Sequence, residues 1–207
     1  MSLQTELEIA QYGILFGSII LHEVSHGWSA LALGDDTAKK AGRLSLNPLV
    51  HIDPIGTVVL PALLIIAGAP VFGWAKPVPV NVSRLRHPRN GAVLTALAGP
   101  AMNLVLVGIA WLLLRILQPE TFWPLQLLFF LGLINLWLAI FNLLPLPPLD
   151  GSSVVKRFLP ERWYGAYLSI RPYTLVVVIA FVFLGQHLLT SGFNAIANFW
   201  QNIIGYG

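Results

Sequence analysis

Two stretches of this chain, Ala92–Leu114 and Leu125–Leu144, contain no charged side chain at all. A helix rises about 1.5 Å per residue, so each run reaches roughly 30 Å or more, the thickness of a bilayer's hydrocarbon core. The helix containing the first run extends over Ala92–Leu117, with Arg115 near its end. A further apolar segment, Leu7–Leu33, has no proline and stops at Gly34-Asp35-Asp36; at about 40 Å it also spans. Thr174–Leu189 is a fourth candidate, short but sufficient with its flanks. Backbone polar groups inside a bilayer must be satisfied within the protein, so segments of this kind fold as helices. The composition agrees. Only 10% of residues are charged, against about 25% in soluble domains, and the mean hydropathy is +0.74.

The expected fold is therefore an all-α polytopic membrane protein with four full transmembrane helices, forming one domain over residues 1–207. Ile55–Phe72 is also apolar, but Pro61 and Gly68-Ala69-Pro70 interrupt it. Three basic groups then fix the topology: Lys39, Lys40 and Arg43; Lys76, Arg84, Arg86 and Arg89; and Lys156, Arg157, Arg162 and Arg171. The positive-inside rule puts all three in the cytoplasm and Glu6 and Glu8 outside, with Arg115 snorkelling at the outer face. A full crossing by 55–72 would put the second group outside, so this segment is expected to enter the membrane and return near Gly68–Pro70. Small strand elements are expected in the loops, around Ala41–Leu46 and in the Pro-rich 73–90 segment. Residues 193–205 read as an amphipathic interfacial helix.

There are no cysteines, which excludes disulfides and thiolate metal sites. The net charge of +3 is small, and its loop clustering is that of membrane topology, so no nucleic-acid partner is expected. The N-terminus MSLQTELEIA lacks the basic region of a cleaved signal peptide.

His22-Glu23-Val24-Ser25-His26 is an H-E-x-x-H motif inside the first apolar helix. Residues four apart share a helix face, so both imidazoles can hold one zinc ion, with Glu23 placed to act on water beside it. The bland reading is a pair of packed, hydrogen-bonded histidines. Against it, a charged group at the centre of a membrane helix costs roughly 2.5–3.5 kcal/mol. Three ionisable groups in five positions need a compensating partner, and a metal supplies one. Gly13, Gly17 and Gly27 on the same helix could admit a close neighbour or be ordinary membrane-helix glycines.

A catalytic zinc takes three protein ligands and keeps one position open. Candidates for the third are His51, Asp53, His87, Asp150 and His187. Asp150 is best placed, in the Pro-rich LPLPPLDG run after a transmembrane helix and on the same predicted side as His22. His87 lies in a basic loop, and His187 near the opposite face. His51 and Asp53 flank the segment expected to re-enter the membrane and are candidates for supporting the ligands.

HEVSH, AGPAMN at 98–103 and NLLPLPPLDG at 142–151 together resemble the site-2 protease family of intramembrane zinc metalloproteases. NPLVHIDPIG at 47–56 and GWAKPVPVN at 73–81 resemble its short, bacterial-type branch. Nearly the whole chain is covered, with the motifs in the family's order. The resemblance implies His22, His26 and Asp150 as ligands of one Zn2+ per chain and Glu23 as catalytic base. It implies metal-assisted hydrolysis of peptide bonds within or near transmembrane helices, as in regulated intramembrane proteolysis. Asn103 and Asn142, polar residues in family-like motifs, are candidates for stabilising the oxyanion or positioning substrate. The implied partners are a transmembrane substrate protein, the lipid bilayer and a regulatory membrane protein. The implied location is the cell membrane, multi-pass, with the site opening toward the cytoplasm. Many members carry a PDZ or CBS domain; this chain has room for neither and resembles a bare catalytic core. Segment 74–82 could pair with an unwound substrate strand. The alternative is a non-proteolytic zinc-binding membrane scaffold or transporter, for which a Glu beside the first His has no use.

Overall fold

A computed structural model describes residues 2–66, 74–170, 172–173, 176 and 186–205, the side chains of 61, 65, 161 and 186–189 excepted. Its helices are α1 (Leu3–Ala32), α2 (Thr37–Lys40), α3 (Leu60–Ile66), α4 (Pro88–Leu117), α5 (Phe122–Asn142), α6 (Gly151–Phe158), α7 (Tyr164–Leu168) and α8 (Gln186–Ile204). Among the described residues there is no strand. Three helices, α1, α4 and α5, are long and apolar enough to cross a membrane. In their most apolar stretches only 22%, 28% and 28% of the residues are buried within the protein. An apolar surface of that extent suits lipid rather than water. The expected fourth span, Thr174–Leu189, lies largely outside the described residues, as does the expected turn at Gly68–Pro70.

The chain divides into two compact units, residues 19–99 and residues 1–18 with 100–207. In the 19–99 unit, α1 ends where Gly34 adopts φ +105°, a left-handed conformation that a Cβ would strain. The N–H of Gly34 then donates to the Leu31 carbonyl and that of Asp35 to Ala30, a Schellman stop. Gly42, at φ +66°, ends α2 the same way, with Arg43 donating to the Ala38 carbonyl. This stop corrects one expectation: residues 41–46 form turn and irregular chain, not a strand. The chain is consumed in closing a helix, and Leu44 packs toward Gly27.

Asp35 is fully buried. It accepts hydrogen bonds from the Thr37 N–H and hydroxyl and from the Asn81 N–H. Burial pushes its carboxyl up, but these donors and the Arg84 charge outweigh burial and hold it below the ordinary carboxylate range. A depressed folded value means this stabilisation is present above the unfolded value of about 3.9 and is lost as pH falls through the folded one. An Asp35→Asn protein should lose about 1–3 kcal/mol at neutral pH, because its amide turns a donor toward the Asn81 N–H. Its melting temperature should also fall less than that of the wild type when pH drops from 5 to 3; equal slopes would remove Asp35 from the acid transition.

Segment 74–81 forms neither helix nor sheet ladder, and Pro77 and Pro79 confine it and the residues before them to extended conformations. It is tied instead to scattered acceptors. The Trp74 N–H donates to the Gly56 carbonyl at 3.2 Å, and the Thr57 hydroxyl donates to the Trp74 carbonyl at 2.9 Å. The Lys76 N–H donates to the His51 carbonyl at 2.9 Å. Asp53 caps the π-type helix Pro54–Val59, which runs on into α3, by accepting from the N–H groups of Ile55 and Gly56.

In the other unit the core is Ala110, Leu114, Leu133, Leu136, Trp200 and Ile204. Gly132 is what admits Trp200, since a Cβ there would run into the indole ring. The indole N–H donates to the Phe129 carbonyl at 3.0 Å, so the polar edge of a buried ring is satisfied. The amphipathic face expected at 193–205 thus belongs to a longer helix, α8, whose Trp200 and Ile204 are packed inside protein. Gly132→Ala should cost about 1–3 kcal/mol by overpacking, read as a lowered melting temperature in detergent; an unchanged value would mean that α8 can shift without loss.

Candidate metal centre

α1 carries His22 and His26 one turn apart, and both are buried, at 6% and 8% exposure. Their Nε2 atoms lie 3.1 Å apart, with the rings edge to face. His26 Nδ1 donates to the Thr95 carbonyl of α4 at 2.7 Å, which fixes the tautomer and leaves Nε2 as the acceptor. Pro100 lies within α4. It has no N–H for the Ala96 carbonyl one turn back.

Gly99 completes the cradle. A Cβ at that position would lie 2.5 Å from His26 Nε2 and 2.6 Å from His22 Nε2. Only a residue without a side chain leaves the space in front of the two nitrogens open. Ligand atoms of His22, Glu23 and His26 all fall within 4.8 Å of one another. Zn–N bonds of about 2.0–2.1 Å in a tetrahedral site separate two nitrogens by roughly 3.3–3.4 Å. Two imidazole nitrogens at 3.1 Å with a carboxylate beside them, and no cysteine in the chain, form a donor set that fits zinc.

Glu23 is half-buried, and its Oε2 accepts from the Val78 N–H at 2.9 Å. Of the three α1 glycines, Gly27 is the one closely approached, by Leu44, Val78 and Ala38, which are loop and short-helix residues rather than a membrane helix. Among the described residues nothing comes within 4 Å of a Cβ built at Gly13 or Gly17.

Asp150 belongs to the other unit, at the start of α6. Asn103 is buried there and donates to Asn135 Oδ1 at 2.7 Å; Asn135 in turn donates to the Ser18 hydroxyl and the Leu131 carbonyl. Asn142 donates to the Leu138 carbonyl of its own helix. His51 is fully buried with Nε2 on the Ser45 carbonyl at 2.7 Å, and Asp53 spends its carboxylate on the cap described above. His87 is exposed. Sequence reasoning missed Thr95, Gly99, Val78 and Asn135. AGPAMN contained a signal for Gly99, because Gly-Pro inside an apolar helix needs a reason. Nothing marked Thr95, which acts through its backbone carbonyl; for Val78 the signal was its place between two prolines, which leaves its N–H as the lone donor of three residues.

A family description, Peptidase family M50, matches residues 119–185. The protein named "Putative zinc metalloprotease YwhC" in Bacillus subtilis is 39% identical over 194 residues, covering 87% of this chain and 84% of that protein. The chain belongs to peptidase family M50. Another relative, "Putative zinc metalloprotease Rip2" of Mycolicibacterium smegmatis, is 32% identical over 169 residues, 78% of this chain and 62% of that protein. "Zinc metalloprotease MJ0392" of Methanocaldococcus jannaschii is 27% identical over 150 residues, 72% of this chain but 34% of that protein. No solved structure gives a significant match. In M50 terms, the H-E-x-x-H histidines and their Gly99 cradle lie outside residues 119–185, and Asp150 lies within them.

Proposed function

We propose that this M50 chain is an intramembrane zinc metalloprotease that hydrolyses peptide bonds of membrane-protein substrates. The carrying observation is the pair of buried imidazole nitrogens 3.1 Å apart in an apolar helix, with a carboxylate beside them and a backbone glycine keeping their front open. His22 and His26 would hold the metal, and Asp150 is the third ligand. What zinc supplies in such a site is Lewis-acid activation of a water molecule and of the scissile carbonyl. Glu23 accepts the proton of the attacking water and returns it to the leaving nitrogen. The Thr95 carbonyl holds His26 in the tautomer that ligation needs. Asn103 and Asn142 are the candidates for steadying the oxyanion or the unwound substrate; each would have to exchange its present hydrogen bond for one to substrate. His51 and Asp53 support the site through the loop they fasten.

In this reading residues 1–207 form one catalytic domain, since α1 and α4 run unbroken through both units. Segment 55–72 re-enters the membrane. In support, Gly56 and Thr57 at its start bond to Trp74 just past its end. Thr174–Leu189 supplies the fourth span, α8 lies at the interface, and the site opens to the cytoplasm of a cell-membrane protein. Segment 74–82 is the candidate for pairing with an unwound substrate strand.

The test is cleavage of a single-span substrate by the purified protein in detergent, with zinc measured per chain. Wild type should cut and hold one zinc, and chelation should abolish cutting reversibly. Asp150→Ala should lower zinc occupancy and cut at least about 100-fold more slowly. Asp150→Ala with full zinc and full activity would remove Asp150 from the ligand set, and zinc-loaded wild type that cuts nothing would favour a scaffold.

A further inference from the structure

Pro77-Val78-Pro79 presents one backbone donor between two residues that have none. Pro77 fixes its own φ, and a residue that precedes a proline is confined to extended conformations. The Val78 N–H is therefore preset in direction before any tertiary contact forms, and it meets Glu23 Oε2 at 2.9 Å. We propose that this N–H is a positioning group for the catalytic base. It holds one carboxylate oxygen so that the other stays directed at the reacting water. The proposal rests on the protease reading above and adds to it a device for orienting Glu23.

Four further observations carry it. The N–H groups of Trp74, Lys76 and Val78, alternate residues of an extended segment, donate to the Gly56 carbonyl, the His51 carbonyl and Glu23 respectively. Extended backbone points alternate amides the same way, so the first two bonds set the line along which the third is aimed. Arg43, a buried guanidinium, clamps the segment from its Nη2 to the carbonyls of Lys76 and Pro77 at 2.5 and 3.4 Å. Asp35 holds the Asn81 N–H beyond it at 2.6 Å. Val78 is itself buried, its side chain against Gly27, and Gly27 lies one helical turn from Glu23 on the same face of α1. The segment thus seats on α1 at two points, by side chain at Gly27 and by amide at Glu23.

The chemistry explains why a backbone donor suits this place. A glutamate has three rotatable bonds, and a base that must receive a proton gains from having them fixed. A neutral amide fixes the carboxylate without competing for the proton, as a lysine or histidine partner would.

The experiment replaces the amide at Val78 by an ester, using the α-hydroxy analogue of valine introduced by nonsense suppression. This removes the N–H and keeps the side chain. Valine itself, introduced at position 78 by the same suppression, is the control. The Val78 ester should lower kcat roughly ten- to a hundredfold, as loss of one hydrogen bond to a charged group does, with KM and zinc per chain unchanged. The protein with valine restored at 78 by suppression should stay within about twofold of the wild type. A second readout needs no activity: in metal-free protein with 15N-valine, the Val78 amide signal should move when Glu23 is changed to Gln. A Val78 ester with kcat within about twofold, or with its loss shared by zinc content and KM, overturns the positioning role. A Val78 signal indifferent to Glu23→Gln overturns the contact. Zinc-loaded wild type that cuts no substrate overturns the protease reading instead, a result that the unmodified control identifies.

Discussion

Glu23→Gln is expected to abolish cleavage, by about 10²–10⁴ in kcat, the range that a positioned general base contributes, while zinc per chain stays at the wild-type level. The substitution is nearly isosteric and leaves both imidazoles and the Thr95 bond untouched. It removes only the capacity to take up a proton. The measurement is single-turnover cleavage of the single-span substrate alongside metal analysis. Two other outcomes would each revise the assignment. Loss of zinc together with activity would make Glu23 a ligand, consistent with its carboxylate lying within 4.8 Å of the histidine donors. Retained activity would move the base elsewhere and leave Glu23 as a structural partner of Val78.

The second large effect is expected from the smallest change, Gly99→Ala. On helix propensity alone this substitution should stabilise α4 by about 0.5–1 kcal/mol. Yet the new methyl would stand 2.5–2.6 Å from the nitrogens of His26 and His22, in the space that the metal needs. The expected protein is folded, no more stable than wild type without metal because the buried imidazoles must give way to the methyl, and depleted of zinc, with occupancy and cleavage both below about a tenth of wild type. Circular dichroism, melting with and without added zinc, and metal analysis separate these effects. Full zinc occupancy would mean that the imidazoles can withdraw along α1 and still converge. The contrast with Gly132→Ala is informative, since there the methyl meets Trp200 rather than ligands, and stability falls instead of metal binding.

Much of this protein was legible in its sequence because two simple periodicities carry it. Uncharged runs longer than a bilayer is thick can only be helices, and α4 and α5 occupy the expected residues with end shifts of up to four residues. The four-residue spacing of His22 and His26 places both rings on one face of any helix that forms there. Residues 41–46 were not legible, because whether a short mixed segment pairs or turns depends on distant partners. Here the partner was the end of α2, which Gly42 closes. The polar chain Asn103–Asn135–Ser18 was half visible: Asn103 stood out in its motif, but its partner lies 32 residues away.

The sequence alone determined the membrane class, the all-helical architecture and the identity of the histidine pair with its glutamate, since each follows from local spacing and from the cost of exposing or burying particular groups. The tertiary structure decided how those side chains are held. The His26 tautomer is set by the Thr95 carbonyl, the open space before the ligands by Gly99, and the aim of Glu23 by the Val78 amide. These are contacts of backbone atoms, or of a missing side chain, across 55 to 77 residues of chain. A backbone N–H or carbonyl is the same in every residue but proline, so only folding reveals which of them is used.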